Sequence, residues 1–167
     1  MKRMLLVFLL FSGVGLWSVP VLAIDLFTGC KISATSVDFG DYDPLSSFHD
    51  DNAGEIELSC GSVVVLLGSS ISYTVKLSSG GSGSPTLRKM SKDSDKLEYN
   101  LYIDSLHQTF WGETAPHTRT GTFNYSGAVG VIVVKTARFP VYGRIYKGQL
   151  VPKGTYTDSI TATVLYF

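Results

Sequence analysis

The chain has 167 residues and carries 14 Lys plus Arg against 14 Asp plus Glu, so its formal charge is zero with neutral histidines. That balance gives no electrostatic case for a nucleic-acid partner or an anionic lipid surface, both of which select a basic excess. The length fits one domain.

The chain opens Met1-Lys-Arg-Met, continues as the apolar run Leu5 to Val19, and closes the segment with Pro20-Val-Leu-Ala23. A basic start, an apolar stretch and a small residue at the end describe a secretory signal peptide over residues 1–23, with cleavage expected after Ala23. Gly13, Gly15 and Pro20 interrupt a run already short for a bilayer span, so no membrane span is expected after cleavage. Removing 23 of 167 residues leaves 144, residues 24–167, with 12 basic against 14 acidic side chains. Cys30 and Cys60 are the only cysteines and both lie beyond the leader. In an exported chain two cysteines most simply pair, and closing such a loop stabilises a fold by about 3–4 kcal/mol on the chain-entropy model. A metal site is disfavoured because zinc needs companion ligands that are missing nearby.

Gly29-Cys-Lys-Ile-Ser-Ala34 alternates with Cys30, Ile32 and Ala34 inward. The phase slips at Thr35-Ser36, after which Val37 and Phe39 take the apolar face, which predicts a bulge or a change of sheet. Gly40 to Gly54 reads as turn and loop. Gly54-Glu-Ile-Glu-Leu-Ser-Cys60 is a strand with Ile56, Leu58 and Cys60 on one face, so the disulfide would pin the first strand to this one. Val63-Val-Val-Leu-Leu67 is an apolar run bracketed by Gly-Ser pairs. Ile71 to Leu77 alternates again, and Ser78 to Pro85 is a flexible Gly-rich connection without the Gly-Lys-Ser/Thr ending of a phosphate loop.

Thr86 to Met90 predicts a short strand, and Lys96 to Ile103 a longer one with Leu97, Tyr99, Leu101 and Ile103 inward. Asp104 to Gly127 reads mostly as loop. Val131 to Val134 and Phe139 to Tyr146 predict two further strands, Pro140 marking the start or an edge of the second. Tyr156 to Phe167 alternates strictly, with Asp158, Ile160, Ala162, Val164 and Tyr166 on one face. The sequence ends there without a turn or a returning strand, and no charge after Asp158 blunts the edge, so a partner strand is expected beside it. Six or seven alternating strands and no 3.6-residue period outside the leader predict an all-β antiparallel sandwich of the immunoglobulin-like kind.

No catalytic constellation emerges. His49, His107 and His117 lack the spacing of a ligand set, and Asp41, Asp43, Asp50 and Asp51 match no twelve-residue calcium loop. No Gly-x-Ser-x-Gly elbow is present. Asn124-Tyr-Ser126 is a formal glycosylation sequon. Neither an enzyme nor a bound cofactor or metal is expected.

Several stretches resemble the spore coat protein U family, which includes the pilins of archaic chaperone–usher (Csu-type) pili. These are Ala34-Thr-Ser-Val-Asp-Phe-Gly-Asp-Tyr-Asp-Pro44, Gly54 to Cys60, Tyr73-Thr-Val-Lys-Leu-Ser-Ser-Gly80, and Arg88-Lys-Met90. Leu97 to Asp104, Trp111-Gly112, Val141-Tyr-Gly-Arg-Ile145, Gly154 to Asp158 and the closing strand continue the likeness in order. The resemblance implies an immunoglobulin-like fold that lacks its final strand. A periplasmic chaperone fills the gap first, and a neighbouring pilin subunit's N-terminal extension replaces it at an outer-membrane usher. On that reading Ile160, Ala162, Val164 and Tyr166 form a wall of the acceptor groove. Two departures stand out. Only Ile24-Asp-Leu-Phe-Thr-Gly29 separate the expected cleavage site from Cys30, too short for a donor strand at about 3.3 Å per residue, which suggests a fibre-tip subunit in surface attachment and biofilm formation. The run Val63, Val64, Val65, Leu66 and Leu67 either extends a buried strand or stands out as an adhesive apolar finger. The alternatives are a self-standing secreted coat protein, and a secreted carbohydrate-binding module or enzyme supported only by aromatics such as Trp111.

Overall fold

The computed structural model describes residues 29–64 and 68–167. The predicted leader, most of the Ile24–Gly29 stub and Val65, Leu66 and Leu67 of the apolar run lie outside the described residues.

Eight strands follow in chain order: β1 (Gly29–Ala34), β2 (Asp50–Val63), β3 (Ser69–Leu77), β4 (Arg88–Lys92), β5 (Asp95–Tyr102), β6 (Arg119–Tyr125), β7 (Ile132–Ile145) and β8 (Ala162–Tyr166). All their pairings are antiparallel. They form a five-stranded sheet ordered β1-β2-β7-β5-β4 and a three-stranded sheet ordered β6-β3-β8. This is the immunoglobulin-like antiparallel sandwich read from the alternation. Among the described residues the sole helical element is a short 3-10 turn, Gly80–Ser82, within the Gly-rich connection. No helix among the described residues is long and apolar enough to cross a membrane.

The core is the product of the alternating faces. Ile56, Leu58 and Cys60 of β2 face Tyr73, Val75 and Leu77 of β3 across the sandwich, joined by Leu97, Tyr99 and Leu101 of β5 and Val141 and Ile145 of β7. Cys30 and Cys60 stand opposite each other in the β1–β2 register and are bonded, so the disulfide pins two neighbouring strands within one sheet.

Four expectations are corrected or refined. Asp104 to Gly127 is mostly loop, but a strand missed within it, Arg119–Tyr125, forms β6 against β3. Its inward positions begin with Arg119 and Gly121, so only Phe123 and Tyr125 carry an apolar signal. The two strands expected over 131–134 and 139–146 are one, β7, which runs through the polar stretch Lys135–Arg138 because β2 pairs with it from end to end. Pro140 is therefore interior to a central strand. It is tolerated because β5 pairs only as far as Tyr102↔Tyr142, leaving no ladder partner on that side. Finally, β8 is five residues long, while Thr157 bridges to Ser91 of β4 in the other sheet. The terminal segment thus spans both sheets and is not a single strand.

Two polar side chains, Arg88 and Asn100, are buried inside this core. Arg88 is 0 % exposed, and no ion pair among the described residues includes it. Its guanidinium donates instead to the carbonyls of Ser78 (2.7 and 3.1 Å), Trp111 (2.6 Å) and Pro85 (3.3 Å) and to Asn100 Oδ1 (2.6 Å). Burial pushes its pKa down, yet an arginine stays charged in proteins. Asn100 is held in turn by its Nδ2 donating to the Thr86 carbonyl at 2.8 Å. Arg88→Met keeps the volume but strands these acceptors without donors. The variant is expected to lose about 3 kcal/mol in denaturant unfolding, whereas an exposed control such as Lys31→Met changes stability by less than about 0.5 kcal/mol.

Candidate functional site

Three strands cannot cover the inner face of five. The part left open is a cleft of about 1150 Å³ whose floor is Ile56, Leu97, Tyr99, Leu101, Val141 and Ile145. One wall is the segment 34–42 that follows β1, and the other is 151–160, which leads into β8.

Glycines set the first wall. A Cβ on Gly54 would come 2.8 Å from the Thr35 carbonyl oxygen and 3.1 Å from that of Ser36. A Cβ on Gly143 would come 2.6 Å from Phe39 Cζ and 2.7 Å from Val37 Cγ1. The phase slip at Thr35-Ser36 thus brings the chain down onto two strands that have no side chain there. Thr35 N–H donates to the Glu55 carbonyl at 2.9 Å, and Glu55 N–H donates to Thr35 Oγ1 at 2.8 Å. Val37 and Phe39 reach the core from this wall.

The second wall is anchored by Asp158. Its carboxylate accepts from the Tyr99 hydroxyl at 2.8 Å and from Gly81 N–H at 2.9 Å, which ties the wall to the cleft floor and to the 3-10 turn. Burial, reinforced by that hydrogen bond, pushes the Tyr99 phenol far above its ordinary pKa, so it remains a donor. Beyond this wall β8 pairs with β3 from Leu77↔Ala162 to Tyr73↔Tyr166, and it is an edge strand. The β1 and β8 edges lie close together, with the Tyr166 hydroxyl 3.5 Å from where a Cβ on Gly29 would stand.

The cleft is apolar on its floor and walled by the segments that lead out of β1 and into β8. It presents no catalytic set, and no group of three His, Cys, Asp or Glu that could hold a metal occurs among the described residues.

The chain matches the Spore Coat Protein U domain family over residues 18–163. It belongs to that family. Protein U of Myxococcus xanthus is 30% identical over 148 residues, which covers 83% of this chain and 75% of that protein. A solved chaperone–tip adhesion subunit pre-assembly complex from the archaic chaperone–usher Csu pili of Acinetobacter baumannii aligns with a TM-score of 0.48 and 23% identity. That alignment covers 81% of this chain and 38% of the other.

In this Spore Coat Protein U domain the four residues picked as a groove wall separate. Ile160 lines the cleft. Ala162 and Val164 continue its face and pack against the core further along. Tyr166 is 48% exposed. Of the apolar run, Val64 is 1% exposed and its N–H donates to the Val131 carbonyl at 2.9 Å, so this residue belongs to the core and not to a finger. Val63 is the last residue of β2. Trp111 is fully buried, its Nε1 donating to the Val75 carbonyl at 3.2 Å, which removes the aromatic that favoured a sugar-binding surface. The wall 34–42 was missed as part of the site; the phase slip was its signal, but nothing local told which way the slipped chain would turn.

The histidines are less scattered than their spacing suggested. His49 and His107 both approach Asp51, which Arg144 grips with two hydrogen bonds of 2.6 Å, and His107 lies edge-on to Tyr102 at 5.1 Å. The Arg144 hydrogen bonds hold the Asp51 carboxyl below its ordinary value of 3.8, while burial moves the neighbouring Asp50 the opposite way.

Two outcomes are expected. Gly54→Ala pushes the backbone of the 35–37 wall outward, costing about 1–3 kcal/mol and exposing 35–44 to limited proteolysis. The Asp51 contribution is present above the unfolded carboxyl's pKa and is lost as pH falls through the lower folded value. Arg144→Gln should therefore lose less stability than the parent when melting is followed from neutral pH to below about pH 4.

Proposed function

We propose that this protein is an exported structural subunit of a chaperone–usher pilus, completed by a strand that another chain inserts into the cleft. The cleft between 34–42 and 151–160 carries this reading. An extended segment laid there would place alternate side chains on the floor formed by Ile56, Leu97, Leu101, Val141 and Ile145. Its backbone would meet the bordering strand edges, which is the chemistry of β-strand addition. A periplasmic chaperone, an outer-membrane usher and a neighbouring pilin subunit are the partners, and the finished protein is at the cell surface. The protein acts by assembly and not by catalysis. Family membership supports the reading.

The finer part is a place at the fibre tip, in surface attachment and biofilm formation. It rests on the six residues Ile24–Gly29 between the expected cleavage point and Cys30, a stub too short to serve as a donor strand.

The test is to export the chain in a periplasm with and without the cognate chaperone, then to melt the product with and without a peptide of alternating apolar residues. The expected result is low soluble yield without the chaperone. The peptide should raise the melting temperature in a saturable way, by mass action on the folded state. A protease-resistant monomer made without the chaperone, whose melting the peptide does not move, would sink the proposal in favour of a self-standing coat protein.

A further inference from the structure

Four strands form the edges of the two sheets: β1 and β4 in the larger, β6 and β8 in the smaller. Three of them are managed. β1 is short and tied to β2 by the disulfide. β4 exchanges two hydrogen bonds across its outer side, Ser91 with Thr157, at 2.8 and 3.1 Å. β8 borders the gap already described.

β6 is different. It pairs with β3 along its whole length, from Val75↔Arg119 to Ser69↔Tyr125. Among the described residues no backbone hydrogen bond reaches its other side. Nothing blunts that side either: β6 has no proline and one charge, Arg119, whose guanidinium is turned to the Ile103 carbonyl. Native sheets protect such an edge with charges, prolines or a covering segment, because its free N–H and C=O groups accept another strand.

We propose that the β6 edge pairs with the β6 edge of a second copy, antiparallel about Thr122, making one six-stranded sheet from two three-stranded ones. The strand is self-complementary in that register. Thr122 faces its own symmetry mate, Thr120 faces Asn124, Gly121 faces Phe123 and Arg119 faces Tyr125. On the solvent side Thr120, Thr122 and Asn124 are all exposed, and the facing pairs are hydroxyl with hydroxyl and hydroxyl with amide. On the core side Gly121 lies under the Tyr73 ring and Phe123 is buried beneath its own sheet, so neither position projects a side chain across the seam. No like charges meet. The contact is isologous, so it closes at two copies, and because it uses the far edge of the sheet from β8 it leaves the cleft free.

Thr122→Lys sets two ammonium groups against each other across the two-fold, at a position whose side chain is exposed. The parent chain should dimerise reversibly in sedimentation equilibrium, and Thr122→Lys should raise the dissociation constant by about fivefold or more with an unchanged melting temperature. Thr122→Cys should give a disulfide-linked dimer under mild oxidation, because directly opposed strand residues stand within disulfide range. Thr120→Cys, which faces Asn124, should not. A parent that stays monomeric overturns the proposal. So does a dimer that Thr122→Lys leaves intact, since that dimer would be held through another surface such as the cleft.

Discussion

The constraint on which the rest of this structure depends is a mismatch of coverage. A five-stranded sheet presents a broad apolar inner face, and the three strands opposite it cannot remove all of that face from water. Ile56, Leu97, Leu101, Val141 and Ile145 are buried all the same. The segments 34–42 and 151–160 lean over them from either side. Each segment is held by a different device. The first lies on glycines that offer no side chain to resist it, and the second is tethered through the Asp158 carboxylate to a phenol in the floor. The protein therefore keeps a cleft between two fixed walls, where a closed sandwich would have a final strand. An apolar floor between two such walls has the chemistry that β-strand addition uses.

Much of the fold was legible because alternation is a local signal. β1, β2, β3, β5 and β8 announced themselves through residues such as Ile56, Leu58 and Cys60 on one face and Glu55, Glu57 and Ser59 on the other. β6 stayed hidden because its inward face starts with Arg119 and Gly121, whose roles are set by other elements. Gly121 faces Tyr73, whose hydroxyl would lie 2.4 Å from any Cβ there. The continuity of β7 was equally hidden: Lys135 breaks the apolar face, and only the full-length pairing with β2 carries the strand across it.

The candidate site was half legible. The terminal segment drew attention to one wall, where Ile160 lines the cleft, but the other wall is a product of tertiary contact. Val37 and Phe39 were seen to change phase, whereas their resting place over Gly143 depends on a strand about a hundred residues further along. Trp111 shows the same limit in reverse. An aromatic within a polar, loop-like stretch reads as surface, yet here it fills the core and supplies a carbonyl to Arg88.

That arginine has a consequence for how the molecule comes apart. Its acceptors are Ser78 immediately after β3, Pro85 at the end of the Gly-rich connection, Asn100 of β5 and the Trp111 segment, so chain leaving one sheet and a strand of the other hold one desolvated charge. Opening either sheet alone would strip the guanidinium of its acceptors while leaving it far from water. Partial unfolding is thereby penalised more than the apolar contacts alone would dictate, and amides of β3, β4 and β5 should exchange with solvent as one cooperative unit. A sandwich with an open cleft is under threat of fraying, and Arg88 makes the strands around it stand or fall together.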